Sequence, residues 1–218
     1  MAFVSKGVRF VMNKAIAAAA CALLVIAIPA MAYDGVSCSG VPATRQSALQ
    51  GNTYDMVVMG FVYSQGRCVQ RDYTEAARWY RMAAVRGDAF AEVILGMAYS
   101  IGEGVPKDYR TAVSWFRRSA EQGDKYGQYN LGLAYYKGHG VPQNYSEAFR
   151  WVGKSADQGL ASAQMYMGVF YIMGYGVRAD LDAAERLDEA ERWLRLSCSN
   201  GHGQACEMLK ESGRGLQR

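Results

Sequence analysis

The chain has 218 residues, half of them hydrophobic, with 24 Lys and Arg against 20 Asp and Glu. Three of the basic residues, Lys6, Arg9 and Lys14, lie in the first 32 positions, which hold no acidic residue, so 21 basic residues remain against 20 acidic ones beyond them. A balance that even, mixed along the chain, excludes a basic nucleic-acid surface, and no stretch after residue 32 is long and apolar enough to span a bilayer.

Residues 1–32 have the order of a secretory signal: the basic stretch, an apolar run of 14 residues from Ala15 to Ile28, Pro29, then Ala30-Met31-Ala32. The run is short of the ~20 residues a membrane anchor needs, so cleavage before Tyr33 is expected, with the mature chain periplasmic or secreted. Cys21 lies inside the apolar run, not after it, which argues against lipid attachment. The other four cysteines are Cys38, Cys68, Cys198 and Cys206, and an even number in an exported chain points to two disulfides.

From residue 54 the chain repeats itself with a step of 36. Gly60, Gly96, Gly132 and Gly168 keep that step, as do Tyr63, Tyr99, Tyr135 and Tyr171, and Trp79, Trp115 and Trp151. A fixed period of this length means a solenoid, in which each unit packs mainly on its neighbours. In the second unit, Ile94, Leu95, Ala98 and Tyr99 form one helical stripe, and Tyr109, Ala112, Trp115, Phe116, Ser119 and Ala120 a second, separated by a Gly-rich break. Each unit is therefore helix A, tight turn, helix B. Gly104, Gly140 and Gly176 serve the turn. Asp72, Asp108 and Asn144 stand as N-caps of helix B, with Glu75 and Glu147 three residues on completing a capping box. The mid-helix glycines each cost about 1 kcal/mol relative to alanine, which is explained if helix B crosses there through Ala76, Ala112 or Ala148.

In chain order the expected organisation is an N-terminal cap helix in 33–53, repeats at 54–89, 90–125, 126–161 and 162–202, and a closing helix with tail in 203–218. Residues 42–51 read as an orphan helix B, because Ala48-Leu49-Gln50-Gly51 aligns with Ala84-Val85-Arg86-Gly87. The fourth repeat carries six extra residues within 178–193, since Trp193 follows Trp151 by 42, so its helix B is expected to be longer by under two turns.

The recurring pattern A-x-x-x-L-G-x-A-Y-x-x-G-x-G-V-P-x-[D/N]-Y-x-x-A-x-x-W, over residues 54 to 206, resembles the Sel1-like repeat, an αα relative of the tetratricopeptide repeat. The resemblance implies an all-α fold, a right-handed αα-solenoid of about four repeats with capping helices, and a role as an adaptor for protein complexes. Cys198-x3-His202-x3-Cys206 is readable as a metal site, but it has no obvious fourth ligand and exported thiols are oxidised, so a disulfide is favoured. The C-x7-C spacing also resembles the staple of the cysteine-rich Sel1-like proteins. Cys68 takes the place of the turn glycine seen at 104 and 140, and Cys38 is the partner left for it.

Little here points to catalysis. His139 sits in a turn where other units have Glu103 or Tyr175, and GEGVPK and GHGVPQ lie between helices without the strand a phosphate loop requires. No catalytic residue, cofactor or metal is expected. The functional hint is the face of helix A at positions three before, one after and four after the glycine. It reads Val57, Phe61, Ser64; Val93, Met97, Ser100; Tyr129, Leu133, Tyr136; Met165, Val169, Ile172, and ten of these twelve are apolar or aromatic. Phe61, Val93, Met97, Tyr129, Leu133, Tyr136, Met165, Val169 and Ile172 are thus expected either to line a concave groove for a protein or peptide partner of a monomeric adaptor, or to bury against helix A of adjacent units. Two other readings stay open on resemblance. One is a β-lactam-binding or hydrolysing protein of the cysteine-rich type. The other is a structural part of an envelope machine, because Cys38…Cys68-Val69-x-x-Asp72 looks like the Sel1-like periplasmic component of sodium-driven flagellar motors.

Overall fold

The computed structural model describes residues 37–211, and the signal segment expected over 1–32 lies outside them. Among the described residues there are ten helices and no strand. They are α1 (Val41–Leu49), α2 (Thr53–Gln65), α3 (Tyr73–Ala84), α4 (Ala89–Ile101), α5 (Tyr109–Glu121), α6 (Lys125–Lys137), α7 (Tyr145–Asp157), α8 (Ala161–Met173), α9 (Ala183–Ser199) and α10 (Gly203–Glu211). The chain divides between Lys154 and Ser155 into two compact units.

In the unit up to Lys154, α1 to α6 pack as successive antiparallel neighbours, and α4 also packs against α6. One core joins α1, α2, α3 and the start of α4 through Ala48, Met56, Met59, Trp79, Ala83 and Leu95; a second joins α5, α6 and α7 through Ala112, Phe116, Leu131 and Trp151. Each helix B begins at the expected cap. Asp72 Oδ1 accepts from Thr74 and Glu75 N–H, Asp108 Oδ1 from Arg110 N–H, and Asn144 Oδ1 from Ser146 and Glu147 N–H. The reciprocal half of the capping box is absent at Glu75 and Glu147. The N–H it would bond is already taken, since Asp72 and Asn144 donate to the carbonyls of Tyr63 and Tyr135, both at 3.0 Å. Glu75 turns instead to Arg78, and Glu147 to Arg150 and Trp151 Nε1. The recurring tyrosine thus closes each turn with its backbone.

The mid-helix glycines are sites of close crossing. A Cβ on Gly96 would lie 2.6 Å from the Phe116 ring and 3.1 Å from the Ala112 carbonyl; on Gly132 it would meet Val152 at 2.6 Å and the Ala148 carbonyl at 3.2 Å. The expected alanines do mark the crossing, but the nearest obstacle is the side chain one turn later, including Tyr80 at Gly60. The turn glycines carry a second constraint. Gly104 has φ +70°, and any Cβ there would penetrate the Tyr73 carbonyl and sit 2.9 Å from Thr74 N; Gly140 stands in the same relation to Tyr109 and Arg110. Each turn therefore presses on the start of the preceding helix B.

In the second unit, α8, α9 and α10 pack in order, with Leu194 of α9 against Gly168 of α8. Helix α9 has 17 residues against 13 in α5, about one turn more, so the insertion lengthens helix B as expected and spends the rest in the loop before it. Its start is a complete capping box between Asp182 and Glu185, because here no tyrosine carbonyl competes for the Asp182 N–H, which is bonded by Glu185 Oε2 at 2.8 Å.

Candidate functional site

The helix A face divides by row. The row three before the glycine is interior: Val57 is 2% exposed, Val93 0%, Tyr129 3% and Met165 5%. Leu133 is buried as well. Val93, Tyr129, Leu133 and Met165 are therefore packing residues and offer nothing to a partner. The reason is visible in the first unit, where α4 and α6 touch directly, so helix A must bury one stripe on helix B and a second on the neighbouring helix A. Phe61, Met97, Tyr136, Val169 and Ile172 remain half-buried. Ser64 and Ser100 share their edge, and both turn their hydroxyls inward, donating to the Phe61 and Met97 carbonyls at 3.0 and 2.8 Å. In the first unit this leaves Phe61 and Met97, one after their glycines, and Tyr136, four after its own at the position Ser64 and Ser100 hold in the earlier repeats.

Both cysteine pairs are bridged. Cys198 and Cys206 join α9 to α10 with Cα atoms 4.9 Å apart, and Cys38 and Cys68 join the segment before α1 to the turn after α2 with Cα atoms 5.1 Å apart. Cys68 is the one non-glycine described with positive φ, at 65°. It aligns with Gly104, and Cys38 aligns with Thr74, both by the 36-residue step. The bridge thus stands where the later turn presses its glycine on the backbone of residues 73 and 74. His202, between the bridged cysteines, is held below the usual imidazole range by burial. His139 stacks on Tyr109 with ring centroids 4.4 Å apart, and its pKa is lowered by burial and then by Lys137 and Lys107.

A feature that periodicity does not single out is a buried position four before the helix glycine, held by Met56 in the first repeat and by polar Glu92, Gln128 and Gln164 in the other three. Gln128 and Gln164 each donate Nε2 to the last turn of the preceding helix B, at the Ala120 and Ala156 carbonyls. Glu92 has no N–H to give. Arg118 reaches in instead, placing Nε 3.0 Å from Glu92 Oε1 and donating Nη2 to the equivalent Ala84 carbonyl, while Gln122 Nε2 donates to Glu92 Oε2 at 2.7 Å. The Gln122 contact matches that of Asn200 Nδ2 on Gln164 Oε1. Reading the column 56, 92, 128, 164 down the repeats is the signal that would have found it. A second repeated contact is also new: Arg81 donates to the Tyr99 hydroxyl, and Arg117 Nη2 to the Tyr135 hydroxyl at 2.9 Å.

Burial raises the Glu92 pKa, opposed by Arg118 and Gln122. An acid whose folded pKa is raised contributes most below its unfolded value, so stability falls as pH rises from about 4.3 through the folded pKa. Glu92→Gln installs the residue of the next two units. Its Nε2 replaces Arg118 at the Ala84 carbonyl, and the Arg118 side chain, 48% exposed, returns to water. We expect a change between neutral and about 1 kcal/mol stabilising, and loss of that pH slope. Urea unfolding of both proteins across the range checks this, and identical slopes would remove Glu92 as the cause.

The Sel1 repeat pattern matches residues 55–88, 89–124, 125–160 and 161–202. A crystal structure of a protective antigen present in uropathogenic Escherichia coli strains, displaying an SLR fold, is 34% identical with a TM-score of 0.73, over 82% of this chain and 38% of that one. A Sel1 repeat protein from Oxalobacter formigenes is 30% identical with a TM-score of 0.72, over 79% of this chain and 66% of that one. The chain thus spans less than two thirds of the length of either. No curated protein sequence matches it. With four matched repeats and, among the described residues, a glycine where helix A meets helix B in each of them, the chain belongs to the Sel1 repeat family.

Proposed function

We propose that the protein is an exported, non-catalytic adaptor that holds a protein or peptide partner through the helix A residues of its first unit that remain half-buried, Phe61, Met97 and Tyr136. Sel1 repeats are a protein-interaction fold, and the observation that carries the site is that Phe61, Met97 and Tyr136 are apolar or aromatic and half-buried on helix A, with Ser64 and Ser100 bonding their hydroxyls back to their own helices. Such a surface gives up little hydration when covered. Export is supported by two disulfides, which persist in oxidising compartments, and by the order of residue types in 1–32.

The test uses protein recovered from outside the cytoplasm, whose first residue should be at or near Tyr33. A photo-crosslinking side chain at position 97 should link one partner, and the same group at Arg110, on the exposed side of α5, should not. Phe61→Ser with Tyr136→Ser should cut that yield at least tenfold while lowering the melting temperature by only a few degrees, since both sites are half-buried. Equal linkage from 97 and 110, or a retained leader, would overturn the respective half of the reading.

A further inference from the structure

A cleft of about 550 Å³ opens between α3 and the turn that follows α4, lined among others by Ala77, Arg78, Arg81, Met82, Val85 and Val105. Its volume suits one large side chain with flanking backbone. On α3 and its C-cap the residues 78, 81, 82 and 85 fall on one helical stripe, beside the stripe of Trp79, Tyr80, Ala83 and Ala84 that fills the core. Val85 is 56% exposed, so its apolar side chain is not there to pack the protein.

We propose that this cleft binds an acidic peptide segment of a protein partner, seating one aliphatic or aromatic side chain on Met82, Val85 and Val105 with flanking carboxylates on Arg78 and Arg81. The charge argument is local. The lining holds two guanidinium groups and no carboxylate. Arg78 is paired with Glu75 within the helix, but its side chain is 75% exposed, and a pair in that position exchanges partners at little cost. Arg81 donates to the uncharged Tyr99 hydroxyl, which leaves its charge and other N–H groups for an incoming carboxylate. Glu103, beside Gly104 in the turn, is not among the lining residues, and its charge also acts on Arg71.

The comparison one repeat further on makes the cleft particular to this joint. Met82 aligns with Arg118 and Val85 with Glu121. Arg118 is drawn down to the buried Glu92, and Glu121 would set a negative charge at the lip. The apolar floor and the arginine rim, with Arg78 paired to Glu75, therefore occur together at the first joint and are dispersed at the second. The cleft shares no residue with the site at Phe61, Met97 and Tyr136, so either surface can fail without the other.

The experiment is fluorescence anisotropy on the disulfide-intact mature chain with a labelled peptide, Asp-Glu-Glu-Leu-Phe-Asp-Glu. One control replaces its acids with Lys and the other replaces Leu-Phe with Ser-Ser. The acidic apolar peptide should bind saturably, both controls at least tenfold more weakly, and added salt should loosen the complex because the pairs are exposed. Val85→Glu, which installs the residue of the next joint, should weaken binding at least tenfold with an unchanged circular dichroism spectrum, and Arg78→Gln with Arg81→Gln should do the same. Phe61→Ser should leave it unchanged. No saturable binding of the acidic peptide, equal binding of the lysine peptide, or indifference to Val85→Glu overturns the proposal. If Val85→Glu disturbs the fold, the arginine pair decides it.

Discussion

Changing Cys38 and Cys68 to serine should cost about 3.7 kcal/mol, the loop-closure entropy of the 31 residues the bridge encloses. For an array of this length that corresponds to a fall of roughly 7 to 15 °C in the melting temperature. The loss should begin at α1. Its cap Gly40 makes no side-chain hydrogen bond and Ala48 is its one fully buried residue, so the bridge adds a tie where the helix itself is weakly held. Hydrogen exchange should show α1 losing protection before α3 or α5. A second variant separates the bridge from the backbone beneath it. Cys38→Thr with Cys68→Gly copies Thr74 and Gly104 of the next joint, and glycine at φ 65° removes a left-handed penalty of about 1–2 kcal/mol. That variant should therefore recover part of the loss. Removing Cys198–Cys206, a loop of nine residues, should cost less, about 2.6 kcal/mol. Unchanged melting and unchanged α1 protection on loss of the first bridge would refute this account.

Gly104→Ala should destabilise the protein by about 3 kcal/mol or more, while Gly123→Ala should cost about 1 kcal/mol. Both glycines have positive φ, +70° and +89°, so a left-handed penalty is common to the two. They differ in surroundings. Nothing lies within 4 Å of a Cβ on Gly123, whereas one on Gly104 would collide with the backbone of Tyr73 and Thr74, which cannot rotate away as a side chain would. The difference between the two variants thus measures how firmly the turn is pressed on helix α3. Paired denaturant titrations give it directly, and equal losses would mean that the turn moves aside freely.

The hairpins, their caps and their crossings were legible because the sequence states them three or four times. Asp72, Asp108 and Asn144 cap as read, and the mid-helix glycines sit where helices meet. What repetition conceals is competition and cover. Glu75 looks like half of a capping box until the Tyr63 carbonyl is seen to hold the Asp72 N–H. Asp182 and Glu185 do form a full box, in the inserted stretch where no second copy draws attention to them. Tyr129 and Leu133 lie on the face read as either groove or packing, and they are buried, a choice the sequence left open since the period of a helix says which way a side chain points but not what lies opposite. Glu92 was missed for a related cause: the column 56, 92, 128, 164 marks the position, but what a carboxylate beside two glutamines does there is seen only with the carbonyl it cannot bond in view.

The polar position at 92, 128 and 164 also bears on how such a chain changes over generations. Gln128 bonds the helix before it through a group that every helix B offers at the same place, the Ala84, Ala120 or Ala156 carbonyl, so a gene segment encoding residues 89–124 is a unit of duplication or loss that brings Gln128 to Ala84 with the bond intact. The bridged cysteines have no such counterpart, and a crossover that separates Cys38 from Cys68 leaves two unmatched thiols. Loss or gain of an interior repeat therefore keeps this bond, whereas a bridge survives only where both of its cysteines are inherited together.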